Sequence, residues 1–407
     1  MKNFSSAATV LLTIFIDLLC FGIILPLLPS FSINVLHINE FVIGITAGIY
    51  SLMQFLFLPF WGALSDRYGR KPVITISLLG NIIANLMLAF VFSGVILSVT
   101  FFIFSRALAG VFAANISAAQ AVISDITTPE ERTKGIGYVS AAFSLGFVFG
   151  PAIGGILSEN FGFAFPVYVS SALSLVAFLM SLLVLKESLP PEIMLLNREK
   201  KQSISPVNLK IFSNALKNKS YGRFIVIFFV SVFSFSNIFG TLQLFCARTE
   251  GLNFNQEETG YILSFMGIIG AFVQLYLLKL FDKIFGSVNT LLTGCLLSAA
   301  GLALLGFSES LYFLLFTIAI MAGGNGLCNT VSVSLLSQNV SRSEQGSVIG
   351  INHSLGSLAR FFGPVWGGFV YQYAGYKFPF LTGGFFMMLL FIYAYLVLKK
   401  PYPVADI

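Results

Sequence analysis

The chain has 407 residues, of which 57% are hydrophobic and 10% charged, with a mean hydropathy of +0.89 and a net charge of +6. Soluble domains carry roughly 25% charged residues, so this composition excludes a water-soluble globular enzyme or binding domain and requires lipid around most of the chain. The positive balance does not point to nucleic acid either, because the Lys and Arg residues are distributed by membrane topology.

Apolar stretches near 20 residues recur along the whole length, each able to cross a bilayer as a helix. In chain order the spans are predicted near 8–33, 41–63, 72–93, 97–122, 134–158 and 163–185, then 222–246, 257–281, 287–307, 311–337, 344–371 and 376–398. The stretch Ala7 to Ser32 has no small-residue cleavage site after it and reads as a retained first span, not a signal peptide. Between spans six and seven lies the one long connection, Lys186 to Ser220, with Pro190-Pro191, Pro206 and many lysines. The expected organisation is an N-terminal six-helix bundle (1–185), a linker (186–220) and a C-terminal six-helix bundle (221–407). Nineteen of the 23 Lys and Arg fall on the side of the termini and linker, against Arg248 and Lys377 on the other side and Arg106 and Arg360 within spans. The positive-inside rule then places both termini and the linker in the cytoplasm. The linker reads as a solvated connector; the alternative is a basic patch that attracts anionic lipid.

The two halves repeat. Gly150-Pro151-Ala152-Ile153-Gly154-Gly155 returns 213 residues later as Gly363-Pro364-Val365-Trp366-Gly367-Gly368, and the same offset pairs Gly137 with Gly350 and Gly162 with Gly375. Duplicated membrane halves enclose a path between them, which points to transport. In span five, Gly137, Gly146, Gly150-Pro151 and Gly154-Gly155 would present a groove without side chains, against which a neighbouring helix can pack closely and tilt.

Between spans two and three runs Gly62-Ala63-Leu64-Ser65-Asp66-Arg67-Tyr68-Gly69-Arg70-Lys71-Pro72, with a weaker echo at Asp282-Lys283 and Gly286. This string resembles the loop signature of the major facilitator superfamily. The span-five glycines resemble that family's antiporter motif, and Arg106-Ala107-Leu108-Ala109-Gly110 its Arg-x-x-x-Gly motif. Asp17, Gly22, Pro26 and Pro29 in span one resemble the first helix of drug:proton antiporters. The resemblance covers the whole chain, is strongest over residues 10–190, and is closest to the twelve-span drug:proton antiporter branch, which includes tetracycline efflux proteins. It implies an all-α integral membrane protein of twelve transmembrane helices in two pseudo-symmetric six-helix bundles. Tetracycline exporters carry an acid in span three, where this chain has Ala84 beside Asn85, so a substrate other than tetracycline is expected.

Three ionisable side chains lie well inside spans: Asp17, Arg106 and Arg360. Each charge at mid-membrane costs on the order of 2.5–3.5 kcal/mol, so each should face a polar cavity or a partner. Asp17 is the expected proton carrier, because a cavity carboxyl feels both desolvation and nearby cations. Arg106 keeps its charge and is expected as its partner or as a fixed positive point. A structural ion pair or a backbone-carbonyl contact holding two helices is the plainer alternative for each of the three. Asn81 and Asn85 are among the neutral polar residues within spans; Asn115, Gln120, Asn237 and Gln243, with Arg360, are the expected substrate-cavity residues. Gly62, Asp66, Arg67, Gly69, Arg70 and Asp125 are expected as the cytoplasmic gate, the family pattern implying that Asp66 and Arg70 lock the halves when that side is shut.

The expected function is proton-coupled efflux of small apolar or amphipathic compounds such as drugs, by alternating access. The alternative is a symporter or facilitator for a metabolite such as a sugar or organic acid. An enzyme is not expected, since His37 and His353 are the only histidines and no catalytic grouping surrounds them. No metal or cofactor is expected, because Cys20, Cys246, Cys295 and Cys328 lack metal-ligand spacing. The protein is expected to work as a monomer in a bacterial inner membrane, with protons, a small molecule and the lipid bilayer as its partners.

Overall fold

The computed structural model describes residues 2–113, 116–127, 132–199, 209–341 and 344–398. Each predicted span falls on a helix or a helix pair. The first half contains α1 (Lys2–Ile24), α2 (Leu27–Asn34), α3 (Glu40–Tyr68), α4 (Arg70–Phe92), α5 (Val99–Phe112), α6 (Ile116–Ile126), α7 (Arg132–Phe161) and α8 (Ala164–Leu183). Two short helices follow, α9 (Pro191–Glu199) and α10 (Leu209–Lys217). The second half contains α11 (Gly222–Ser236), α12 (Ile238–Cys246), α13 (Gln256–Phe272), α14 (Leu278–Leu305), α15 (Leu311–Gln338), α16 (Gln345–Ala374) and α17 (Phe378–Leu398). Among the described residues, eight helical stretches are long and apolar enough to cross a membrane. One of them, Gln256–Leu305, joins spans eight and nine, and Gly286 at φ 74° breaks it where the sequence places the loop.

Two spans are interrupted by local chemistry. In the first, Pro26 has no N–H to donate and α1 ends just before it, so α2 begins anew. In the seventh, Asn237 Nδ2 donates to the Ser234 carbonyl at 2.9 Å. That carbonyl is the acceptor Ile238 N–H would use in a continuous helix, so the side chain competes with the ladder and the helix breaks there.

The chain forms two compact units, Met1–Asn208 with Leu242–Gly267, and Leu209–Thr241 with Ile268–Ile407. The division runs through α12 and α13, so the first unit takes in a piece of the second half of the sequence. Inside the first unit, α7 packs along α1, α4 along α8 and α3 along α5. Four phenylalanines, Phe31 of α2, Phe92 of α4, Phe102 of α5 and Phe163 just before α8, meet in its apolar core near α2, with Phe31 and Phe92 stacked at 4.2 Å. Inside the second unit, α16 packs along α11 and α14 lies against both α15 and α17.

The repeat has a geometric basis. Repeat mates Gly162 and Gly375 both end a long helix with positive φ, at 80° and 109°, a conformation that side chains disfavour. A side chain on Gly150 would meet Gly22 Cα at 2.7 Å, and one on its mate Gly363 would meet the Phe233 carbonyl at 2.7 Å. In each unit, then, the glycine-proline helix touches the first helix of its half backbone to backbone. All four cysteines are buried and free; Cys295 and Cys328 bring their sulfurs to 3.4 Å in the packed contact of α14 with α15.

Candidate functional site

One face of α1 supplies Asp17, Cys20, Phe21 and Ile24, the i, i+3, i+4, i+7 positions that a helix stacks in a single stripe. This stripe lines a small cavity inside the first unit, completed by Tyr50 of α3, Asn81 and Asn85 of α4, Arg106 and Ala109 of α5 and Ser174 of α8. Its free space holds about two water molecules. That free space is small beside the pocket of about 300 Å³ or more that a drug-sized molecule fills.

Asp17 and Arg106 line this same cavity, two of the three ionisable side chains that the sequence places inside spans. Arg106 is 3% exposed and its guanidinium sits 5.2 Å from the centre of the Tyr50 ring. The ring face offers negative density that offsets part of the cost of burying the cation. Arg106 Nε finds no hydrogen-bond partner among the described residues. An unmade bond at a buried donor costs about 1–3 kcal/mol. Around these charges the polar groups are partly tied down: Asn85 Nδ2 donates to Ser174 Oγ at 3.5 Å, and the Cys20 thiol donates to the Ser170 carbonyl at 3.4 Å. Gly110, one turn beyond Arg106, lets α5 press on the Tyr50 backbone carbonyl, which fixes α5 against α3 at this level.

Behind the acid lies the glycine groove. A Cβ on Gly146 would fall 2.7 Å from Leu18 Cβ, and one on Gly154 would strike the Ile23 carbonyl. Three successive turns of α7 therefore rest on the α1 backbone around Asp17. Gly155 faces the other way, where its Cβ would meet the Gln256 carbonyl at 2.6 Å, and a Cβ on Gly260 would meet the Pro151 carbonyl at 2.5 Å. Pro151 disturbs the helix ladder, and the Ala152 N–H turns to Ser264 Oγ at 3.0 Å. Gly137 lies within α7 at its N-terminal end.

A second cluster forms where α3 ends and α4 begins. Arg70 is buried and pairs with Asp66 at 2.6 Å and Asp125 at 3.2 Å, while its Nη1 also donates to Ser65 Oγ at 2.7 Å. Of the sequence-predicted gate residues, Asp66, Arg70 and Asp125 are thus in direct contact. Gly62 accepts from Ser65 Oγ through its carbonyl, and Arg67 lies in the last turn of α3. Gly69 turns the chain at φ 103°, and a side chain there would also run into the Glu187 carboxylate. That carboxylate accepts from the N–H groups of Arg70 and Lys71, at 2.9 and 3.1 Å, and so caps α4 with negative charge. Ser188 Oγ donates to Asp125 Oδ2 at 3.0 Å, and Asn197 Nδ2 of α9 donates to the Asp66 carbonyl at 3.2 Å.

The remaining predicted cavity residues are dispersed. Asn237 donates to the Ser234 and Pro379 carbonyls and joins α11 to α17 within the second unit. Gln243 donates to Ser30 Oγ at 2.9 Å inside the first unit. Arg360 is half-buried and donates to Ser357 Oγ at 2.9 Å. Gln120 is half-buried on α6, and Asn115 lies outside the described residues. Sequence reasoning missed Tyr50, Ser174, Glu187 and Ser188, and considered Cys20 as a cysteine without metal-ligand spacing. The stripe spacing from Asp17 was the one available signal for Cys20; Tyr50 and Ser174 had none.

Comparison with known proteins follows the same lines. A profile of the Major Facilitator Superfamily matches residues 10–289 and 279–406. Multidrug resistance protein 2 of Bacillus subtilis (strain 168) is 33% identical over 382 residues, covering 92% of this chain and 90% of that protein. The class H tetracycline resistance protein of Pasteurella multocida is 26% identical, covering 99% and 98%. Among solved structures, a bacterial homologue of the human lysosomal transporter Spinster, inward-facing and unoccupied, superposes with a TM-score of 0.78 at 14% identity, with 99% of each chain covered.

Proposed function

Because this chain belongs to the Major Facilitator Superfamily, we propose that it is a secondary active transporter that exports small apolar or amphipathic compounds, drugs among them, in exchange for protons. It is an integral, multi-pass membrane protein. The observation that carries the coupling is the shared cavity, in which a half-buried acid, Asp17, and a buried cation, Arg106, line one small space within one unit. The relatives whose names denote multidrug and tetracycline resistance support the substrate class.

In this reading Asp17 alternates between a carboxylate held by the positive field of Arg106 and a neutral acid when protonated. Losing the charge weakens the hold on α1 by the Coulomb attraction that vanishes, which at an effective dielectric near 20 is on the order of a few kcal/mol at close range. Helix α1 rests on Gly146, Gly150 and Gly154 of α7, a surface without side chains to obstruct a tilt. Protonation would therefore be converted into helix movement. The cluster of Asp66, Arg70 and Asp125, capped by Glu187, serves as the cytoplasmic latch. Both termini and the linker lie in the cytoplasm of a bacterium, the halves divide at 186–220, and the protein works as a monomer without a cofactor. Asn115, Gln120, Asn237, Gln243 and Arg360 remain the proposed substrate-path residues; of these, Asn237 and Gln243 have their amides engaged within the fold.

Purified protein in liposomes, given an apolar cationic dye and an imposed pH gradient, should move dye against its gradient as protons flow the other way. Dye movement that ignores the pH gradient would remove proton coupling from the account.

A further inference from the structure

The segment from α10 to the start of α11 carries Lys210, Lys217, Lys219 and Arg223 and has no Asp or Glu between Leu209 and Arg223. With 3.6 residues per turn, Lys210, Ser213, Asn214 and Lys217 share one arc of about 100° on α10. All four are exposed. The apolar residues occupy the remaining arc, and the unit covers only its centre: Ala215 is 2% exposed, whereas Ile211 and Leu216 on either flank are 48% and 42% exposed.

The joint after α10 is stiff. Asn218 Oδ1 accepts from the N–H groups of Ser220 and Tyr221, and its carbonyl accepts from Gly222 N–H at 2.9 Å. A side chain on Gly222 would run into the Leu216 carbonyl, so α10 turns directly onto α11. Helix α11 opens the membrane-crossing stretch Gly222–Cys246. A short helix fixed at that point stands at the edge of the apolar layer. There its two exposed apolar flanks can meet hydrocarbon and its exposed lysines can reach lipid phosphates.

We propose that α10 is an interfacial helix that docks on anionic lipid: Ile211 and Leu216 enter the acyl region, and Lys210, Lys217 and Lys219 bind the headgroup phosphates. Lysine stems are long enough to lie along the interface while their ammonium groups reach the phosphate layer. The docked helix would anchor the entry of α11 and oppose its movement away from the membrane surface. The proposal rests on the cytoplasmic placement of the linker, and the experiment separates the two.

Full-length protein in detergent would be titrated with phosphatidylglycerol and, separately, phosphatidylcholine, with bound lipid counted by native mass spectrometry. The Lys210→Gln/Lys217→Gln/Lys219→Gln variant changes only exposed side chains. It should bind phosphatidylglycerol about fivefold more weakly per lysine removed, the ratio equal to about 1 kcal/mol per cation, with phosphatidylcholine unchanged. Ile211→Ser/Leu216→Ser should weaken both lipids alike. Unaltered phosphatidylglycerol binding in the lysine variant would overturn the proposal. Ser213→Cys should react with a membrane-impermeant maleimide in inside-out vesicles, the native cysteines being buried. Reaction only from the outer face would overturn the topology instead.

Discussion

Gly150→Ala tests the backbone contact between α7 and α1. The added Cβ would lie 2.7 Å from Gly22 Cα, 2.8 Å from Gly22 C and 2.9 Å from the Leu19 carbonyl. Ordinary carbon contacts need about 3.5–4.0 Å, so the helices must part by roughly 1 Å, and backbone atoms offer no rotamer to relieve the clash. Overpacking of this kind costs about 1–3 kcal/mol. Alanine also returns about 1 kcal/mol as the better helix former, leaving a net loss of about 0–2 kcal/mol. Gly350→Ala is the control: it too lies within a helix, but its Cβ would meet nothing within 4 Å. It should be neutral or stabilise by up to about 1 kcal/mol. Thermal unfolding in detergent, followed by tryptophan fluorescence, compares the two variants with the parent, and the difference between them isolates the overpacking contribution. Equal midpoints for both variants would refute the close contact. A stabilised Gly150→Ala would do the same.

Further expectations follow from the same geometry. Arg106→Lys should lower proton-driven efflux at least tenfold, since an ammonium cannot reproduce the planar guanidinium over the Tyr50 ring; transport by Arg106→Lys at the parent rate would count against a role for that arrangement. Gly69→Ala should destabilise the first unit by about 1–3 kcal/mol through its φ of 103°, measured as a fall in the unfolding midpoint. Glu187→Gln removes the negative charge at the start of α4. It should cost about 0.3–1 kcal/mol at low salt, and less when the ionic strength is raised; a loss independent of salt would argue against an electrostatic cap.

What the sequence revealed and what it hid divide along a physical line. The glycines of α7 were legible because a groove is the absence of side chains at fixed spacing, and that absence is itself a pattern. Asp17 and Arg106 stood out because charge inside an apolar run is costly, and the fold brings both to one cavity. Arg70 and Asp125 could be paired from their positions at neighbouring span ends. Tyr50 and Ser174 could not be picked out, because one tyrosine among 14, in a chain with 45 phenylalanines, carries no mark of its own. Glu187 reads as one acid beside a basic linker; only the packing of α8 against α4 brings its carboxylate onto the Arg70 and Lys71 N–H groups. The break of the seventh span was equally hidden, since it depends on which carbonyl the Asn237 amide reaches.

The central claim is that one carboxyl in the first helix couples proton movement to export. It is tested most directly by Asp17→Asn in proteoliposomes, with two readouts on the same preparation: dye movement driven by a pH gradient, and dye exchange with equal dye and equal pH on both sides. The account predicts that gradient-driven movement disappears while exchange persists, because the variant keeps its path and loses its proton site. Asp17→Asn that still concentrates dye in response to the pH gradient would contradict it.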